Sequence, residues 1–360
     1  MKYPVYKPYL KENTKIYVNE CIDSTWISSK GKFVNIFEEN IAAYCNIQYA
    51  SSVFNGTVAL HLALLALEIG EGDEVIVPDF TYIATANAVK YVGAKPILVD
   101  VSIDDWNITL EEIKKVYNNK VKAIIVVDMY GTQPKELKEI SDFAKENGIY
   151  VIQDSAESIG SRYYGHNIGE YADVATLSFF GNKTITTGEG GMVLTNNKSI
   201  HEKVEILKNQ GNSKSIRYFH DMLGYNYRMT NIQAAIGCSQ LEIIDEILER
   251  KLLIFNLYKE LLEGVVEFQK TDDDRISSNW LVSVVLKDMS EEIFHSLNDV
   301  GIETRPFFQP ISSMPFYETC DNPITYHLAQ KGLSLPSYPE LEKDDIRFIC
   351  NKIKESVGKL

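Results

Sequence analysis

Tyr49-Ala-Ser-Ser-Val-Phe-Asn-Gly-Thr-Val-Ala-Leu-His-Leu-Ala-Leu-Leu-Ala-Leu67 reads as a strand that runs into a helix. Tyr49–Phe54 is short and apolar enough for a strand, and Val58–Leu67 has the length and spacing of a helix. The same alternation then repeats. Strand Glu74–Val77 precedes helix Ile83–Val92, and strand Pro96–Asp100 precedes helix Leu110–Val116. Strand Lys122–Val127 precedes helix Lys135–Glu146, and strand Tyr150–Gln153 follows. Turn signals separate them, such as Gly70-Glu-Gly-Asp73 and Glu146-Asn-Gly148. Short apolar strands divided by amphipathic helices predict βαβ units around a mostly parallel sheet, an α/β fold.

The flanks differ. Residues 1–30 read as an irregular arm, followed by helical spacing from Val34 to Tyr44. A long helix is expected after Thr230-Asn231, continuing with a break towards Leu262. Beyond it, strand-like Trp280–Leu286 and helix-like Glu292–Val300 predict a smaller α+β domain. With 360 residues the chain has room for two domains. The expected division is 1–240 for the arm and large domain, and 241–360 for the connecting helix and small C-terminal domain.

Composition excludes several classes. The chain is 45% hydrophobic and 24% charged, as in soluble globular proteins. Its net charge of −14 argues against nonspecific nucleic-acid binding and against docking on an anionic membrane. Apolar runs such as Ala123–Val127 are too short to span a bilayer. The N-terminal Met-Lys-Tyr-Pro-Val-Tyr-Lys-Pro lacks the apolar core of a signal peptide. Five scattered cysteines form no CxxC pair, and the six histidines show no metal spacing. A cytoplasmic protein with reduced thiols and no metal, nucleic-acid or membrane partner is expected.

Four places carry chemistry. Gly56-Thr57 opens a helix just after a strand, where free N–H groups and the helix dipole favour an anion; the same residues also suit an ordinary N-cap. Asp154 ends an apolar strand at the edge where parallel sheets bind ligands, although Asp there is also a common turn former. Glu157 lies one helical turn further on. Lys183 sits in Ser178-Phe-Phe-Gly-Asn-Lys183-Thr-Ile-Thr-Thr-Gly-Glu-Gly-Gly191, where the glycines force a tight path beside it. Tyr82 follows a strand end and can stack on a flat ring, or serve as a surface or core tyrosine. A lysine amine, a strand-end carboxylate and a phosphate-ready helix start are the protein groups that pyridoxal 5′-phosphate requires. Gly188-Glu-Gly-Gly191 is no dinucleotide fingerprint, because Val193 follows and no helix pattern opens there.

These residues resemble the DegT/DnrJ/EryC1/StrS sugar aminotransferases. The resemblance runs from about Tyr17 to Pro336. It rests on Asn55-Gly-Thr-Val-Ala-Leu-His-Leu62, Gly72-Asp-Glu-Val-Ile-Val-Pro78, Asp154-Ser-Ala-Glu157, Ser178-Phe-Phe-Gly-Asn-Lys183, Thr187-Gly-Glu-Gly-Gly-Met192 and Gly224-Tyr-Asn-Tyr-Arg-Met-Thr230. It implies the aspartate-aminotransferase fold (type I), with pyridoxal 5′-phosphate as cofactor. Carried over by position, Lys183 holds the cofactor covalently and shuttles the proton. Asp154 pairs the ring nitrogen, Glu157 meets the ring hydroxyl or its water, and Tyr82 stacks on the ring. Gly56, Thr57 and Ser178 bind the phosphate. Asn226 reaches it from a neighbouring subunit, which implies a homodimer with composite sites.

Val18–Phe33 and Gly301-Ile-Glu-Thr-Arg-Pro-Phe-Phe308 narrow the resemblance to members that aminate C4 of GDP-4-keto-6-deoxymannose. L-Glutamate is the expected amino donor, and a 4-amino-4,6-dideoxy sugar for glycan biosynthesis the product. UDP- or dTDP-4-keto-6-deoxyglucose, and amination at C3, stay open. A related 3-dehydratase carries His where Lys183 stands. Arg305, Phe307 and Phe308 are expected to form the sugar-nucleotide pocket, an always-charged group for diphosphate beside flat apolar faces; an edge strand with a surface arginine is the plainer reading.

Overall fold

The computed structural model describes residues 2–288 and 290–358. The first half contains α1 (Glu12–Asp23), α2 (Lys32–Cys45), β1 (Tyr49–Val53), α3 (Gly56–Ala66), β2 (Glu74–Pro78), α4 (Ala84–Tyr91) and β3 (Lys95–Val99). Next come α5 (Leu110–Val116), β4 (Val121–Val127), α6 (Leu137–Glu146), β5 (Tyr150–Asp154), β6 (Arg162–Tyr163), β7 (Val174–Ser178) and β8 (Gly191–Thr195). Then follow α7 (Lys198–Leu207), α8 (Asn231–Leu241), α9 (Ile244–Leu261), β9 (Glu267–Phe268), β10 (Arg275–Ile276) and β11 (Val282–Val285). The chain ends with α10 (Ser290–Asp299), β12 (Arg305–Pro306), α11 (Pro323–Lys331), β13 (Gly332–Leu335) and α12 (Lys343–Val357).

Seven strands form one sheet in the order β1-β8-β7-β5-β4-β2-β3. β3, β2, β4, β5 and β7 run parallel, and β8 is antiparallel to both β7 and β1. The single reversed strand leaves the carboxyl ends of β1, β2, β4, β5 and β7 on one edge. Side chains alternate between the two faces with period two. Ile125, Val127, Val174 and Val193 join the core that contains α3, while Ala175, Leu177, Met192 and Leu194 join the one that contains α2 and α8. Helix α3 is apolar on nearly every side and every residue from Val58 to Leu64 is buried, so it lies inside the domain rather than on its surface.

The mostly parallel sheet and a smaller α+β unit are thus present as the sequence predicts. The small sheet is antiparallel, in the order β12-β13-β11-β9. Its core draws Tyr258 from α9, Leu297 from α10 and Ile349 from α12. The long helix is broken between α8 and α9, at Glu242-Ile243. We propose the end of α8 as the domain boundary, since every strand of the small sheet follows it. β10 nevertheless returns to pair with β6.

The arm departs from expectation: α1 is a regular helix. It buries only Thr14 and Cys21 and has no side-chain cap at Lys11, so it carries neither an apolar stripe nor a start signal. The segment before it is also ordered by partners far along the chain. Lys2 and Tyr3 donate backbone N–H groups to Gly301 O, and Tyr9 O accepts from Gln240 Nε2 at 2.7 Å.

Gly191 shows how closely β8 and the start of α3 approach. A Cβ there would lie 2.5 Å from the carbonyl of Asn55 and 2.9 Å from Gly56 N. Gly191→Ala is therefore expected to destabilise the protein by about 1–3 kcal/mol through overpacking. Thermal unfolding of the variant beside wild type checks this, and an unchanged melting temperature would show that the contact relaxes freely.

Candidate active site

A cavity of about 400 Å³ opens at the shared carboxyl edge of the strands. Parallel sheets bind ligands at this edge because the loops and helix N-termini that follow each strand converge there. Gly56, Thr57, Tyr82, Asp154, Glu157, Ser178, Lys183, Arg305 and Phe308 all line it. Residues scattered over most of the chain are thereby brought to one place.

Lys183 stands on the loop after β7. Its backbone N–H closes a turn on Phe180 O at 2.9 Å, and its carbonyl accepts the Tyr6 hydroxyl. The tight return to β8 needs its glycines: Gly188 has φ of +82°, and a Cβ on Gly190 would lie 2.1 Å from Thr187 Oγ1. The amine points into the cavity, 3.7 Å from Glu157 Oε1 and 4.0 Å from the centre of the Trp280 ring. Burial pushes it below the ordinary lysine value, against the pull of Glu157 and Asp154.

Asp154 ends β5 and is buried. It accepts the Thr85 hydroxyl at 2.8 Å and the Ala156 N–H at 3.2 Å. Burial raises its carboxyl above the ordinary value, and Thr85, Ala156 and Lys183 only partly offset that. Glu157 Oε2 accepts the Tyr130 N–H at 2.8 Å, and burial pushes its carboxyl up to about 7. Two carboxyls and one amine share a cavity that favours the neutral form of each.

The helix start is built for an anion. The Asn55 side chain caps α3 by accepting Val58 N–H at 3.0 Å. That leaves the N–H groups of Gly56 and Thr57 without partners inside the helix. Ser178 lies against them: a Cβ on Gly56 would sit 2.9 Å from Ser178 Cβ and 3.2 Å from its Oγ. Glycine is what lets these donors converge.

Tyr82 is 58% exposed at the cavity wall, with its ring tilted 56° to that of Phe308 at 5.7 Å. Arg305 lines the same wall and lies 3.6 Å from Glu303 Oε1. The expected Phe307–Phe308 pair splits. Phe308 lines the cavity, but Phe307 is 2% exposed and packs behind it, against Trp106 and Tyr130. Its ring fills the space over Gly332, where a Cβ would lie 1.9 Å away. Phe307 therefore supports the wall and does not face a ligand. Asn226 lies outside this cavity, exposed, with its backbone bridged to Asn209.

Sequence reasoning missed three participants. Thr85 holds Asp154 but sits in a helix with no special pattern. Tyr130, at φ +52° beside Gly131, closes the wall after β4; a strand-end Tyr-Gly was its only signal. Trp280 arrives from the far side of α9 and had no local signal at all.

The residues fit one cofactor in particular. A buried acid can keep a pyridine nitrogen protonated, which would in turn return that acid to its charged form. A helix N-terminus with a serine takes a phosphate, and an amine that burial shifts towards its neutral form takes an aldehyde. Pyridoxal 5′-phosphate carries all three groups, and the fold and site define a pyridoxal-phosphate enzyme of the aspartate-aminotransferase type. The chain belongs to the DegT/DnrJ/EryC1/StrS aminotransferase family, whose model matches residues 8–354. It is 48% identical to the GDP-perosamine synthase of Escherichia coli O157:H7 over 360 residues, covering 99% of each chain. It is 43% identical to that of Vibrio cholerae over 361 residues, 98% of each. Spr1654 of Streptococcus pneumoniae, solved in its PLP form, superposes with a TM-score of 0.93 at 26% identity, covering 100% of this chain and 99% of that one.

Lys183→Ala is expected to abolish the visible absorbance of bound cofactor and all turnover. Asp154→Asn should retain the phosphate contacts yet slow turnover by at least about a hundredfold, since a neutral amide cannot hold the ring nitrogen charged. Absorbance spectra and steady-state rates of both variants check this; full activity of Lys183→Ala without added amine would remove the lysine from its role.

Proposed function

We propose that this enzyme transfers the amino group of L-glutamate to C4 of GDP-4-keto-6-deoxymannose, giving GDP-perosamine. The observation that carries the reading is the likeness to the two GDP-perosamine synthases, which covers 99% and 98% of this chain. Lys183 also speaks against a 3-dehydratase, which would carry histidine there.

When bound, pyridoxal 5′-phosphate supplies an electron sink that lets a C–H bond next to nitrogen ionise. Gly56, Thr57 and Ser178 would hold its phosphate, Asp154 would pair with its ring nitrogen, and Tyr82 would cover the ring. Lys183 Nζ moves the proton, first from the Cα of glutamate and later to C4 of the sugar. A lysine whose amine burial shifts towards its neutral form suits both directions, because the proton is less tightly held than on an exposed lysine. Glutamate and the keto sugar use one site in turn, so ping-pong kinetics are expected. Arg305 receives the diphosphate as a fixed fork of donors, with Phe308 beside it. Asn226, exposed and outside its own cavity, supports a homodimer in which it completes the neighbour's phosphate site. Among the described residues no helix is long and apolar enough to cross a membrane, and we propose that the enzyme works in the cytoplasm.

The test is to offer GDP-, UDP- and dTDP-linked 4-keto-6-deoxy sugars with glutamate and identify the amino sugar by mass and NMR. The GDP sugar should win in kcat/KM, with the amine at C4; a preferred UDP or dTDP sugar, or amination at C3, would overturn the substrate assignment. Arg305→Ala should raise KM for the sugar nucleotide about tenfold or more and leave the glutamate half-reaction nearly untouched, the pattern of lost substrate binding. For the dimer, Lys183→Ala and Asn226→Ala protomers are mixed. Exchanged heterodimers should regain activity at one intact site, and proven heterodimers that stay inactive would count against shared sites.

A further inference from the structure

Trp280 has no role in the reading above, yet its ring is the aromatic face nearest the reactive amine. Lys183 Nζ lies over it, 4.0 Å from the ring centre, with Glu157 Oε1 at 3.7 Å. The amine is thus held between an indole and a carboxyl. A lysine that carries a cofactor spends part of each turnover free, and its free amine then needs a defined place. We propose that the indole face of Trp280, together with Glu157, is the resting site of the free Lys183 amine and sets how readily that amine gives up its proton.

The indole is fixed at each end. Its Nε1–H donates to Asn182 O at 2.7 Å, so the ring is tied to the residue just before Lys183. Its face stacks on Tyr130 at 6.0 Å and 14°. Tyr130 N–H in turn holds Glu157 Oε2 at 2.8 Å, so both sides of the resting site share one support. The Trp280 carbonyl accepts from Lys251 Nζ at 2.9 Å. Lys251 is itself buried and also donates to Asn279 O at 3.4 Å and Ser337 O at 3.3 Å. It makes no salt bridge among the described residues, and three carbonyl acceptors match the three N–H groups of an ammonium. Lys251 is a positioning residue: it acts on Lys183 only through the backbone of Trp280.

The charged and titratable groups around the amine come from several elements. Asp154 and Glu157 approach from β5 and the segment after it, and Tyr130 lines the same cavity from the loop after β4. Arg305 faces the cavity from β12, and Lys251 stands behind Trp280 on α9. Among them the indole has a distinct property. Its quadrupole favours the ammonium, but it cannot accept the proton. It therefore steadies the cation against burial without adding another site at which the proton can be trapped, which a second carboxylate would do.

This inference rests on Lys183 being the cofactor lysine. The test reads the lysine itself, so the two can fail separately. Fluorinated tryptophans of increasing fluorine count are placed at position 280, which drains the ring quadrupole at nearly constant shape. Competitive labelling with trace acetic anhydride across a pH series, read by mass spectrometry at the peptide containing Lys183, gives its titration. It is run on cofactor-free full-length protein and on glutamate-treated holoenzyme, where the amine is free. The midpoint should fall stepwise with fluorine count, by about one pH unit at full fluorination. Trp280→Leu should match the end of that series, Trp280→Phe should keep part of the effect, and Lys251→Met should move it in the same direction. A flat fluorine series overturns the proposal, whatever the leucine variant does, because a merely structural tryptophan would be indifferent to its quadrupole. A shift in the cofactor-free protein with no activity on any keto sugar would sustain the resting site and refute the substrate reading instead.

Discussion

Parallel pairing is the constraint from which the site follows. A parallel strand cannot be joined to its neighbour by a hairpin, so each needs a crossover, and each crossover starts at the same edge. β1, β2, β4, β5 and β7 accordingly deliver Asn55-Gly56, Tyr82, Tyr130, Asp154 and the Lys183 loop to one edge. The reversed strand β8 is what closes this edge on itself. It returns the lysine loop between β7 and β1, and its first residue, Gly191, touches the start of α3. The lysine loop and the start of α3 are thereby held in register by backbone contact.

Electrostatics explains why such a site waits for its ligand. Asp154, Glu157 and Lys183 are all buried, and burial moves each towards its neutral form. None has a fully compensating partner in the protein: Glu157 and Lys183 are 3.7 Å apart, beyond hydrogen-bond contact. A protonated ring nitrogen would place a cation beside Asp154, and a phosphate would place an anion at the start of α3. Pyridoxal 5′-phosphate would thereby offset the desolvation of these buried groups.

The parts legible in the sequence were those written in local pattern. Strand and helix alternation set the sheet, and Gly56-Thr57, Asp154 and Lys183 each stood at a strand end with a recognisable chemical type. The helix α1 was illegible because only Cys21 and part of Tyr17 reach a core, too few to make a stripe; it is held by contacts such as Thr14 with Ser239, far along the chain. Phe307 and Phe308 were indistinguishable as neighbours in sequence. Only the approach of Gly332 decides which ring is buried and which faces the cavity. Trp280 could not be found because its meaning comes entirely from the packing of the segment before β11 onto the large domain. Gly131 shows how close that packing is, since a Cβ there would lie 2.5 Å from Ser278 Oγ.

The small domain and the N-terminal segment are consequently parts of the lysine's environment, although both are remote in sequence. Tyr6 donates to the Lys183 carbonyl, and Val5 N–H donates to Glu303 Oε2 at 2.9 Å. Glu303 in turn stands beside Arg305 on the cavity wall. The same short stretch of chain thus touches the residue that would move the proton and the neighbour of the residue that would grip the substrate. Ser278 Oγ, bonded to Glu157 O at 3.0 Å, and the Trp280 indole, bonded to Asn182 O, make the corresponding link from the small-domain side. Lys183 and Arg305 thus stand on opposite sides of the proposed domain boundary, and these hydrogen bonds tie the two sides together. A change of substrate through Arg305 and Phe308 can therefore leave Lys183 undisturbed only so long as the Tyr6, Ser278 and Trp280 contacts are kept.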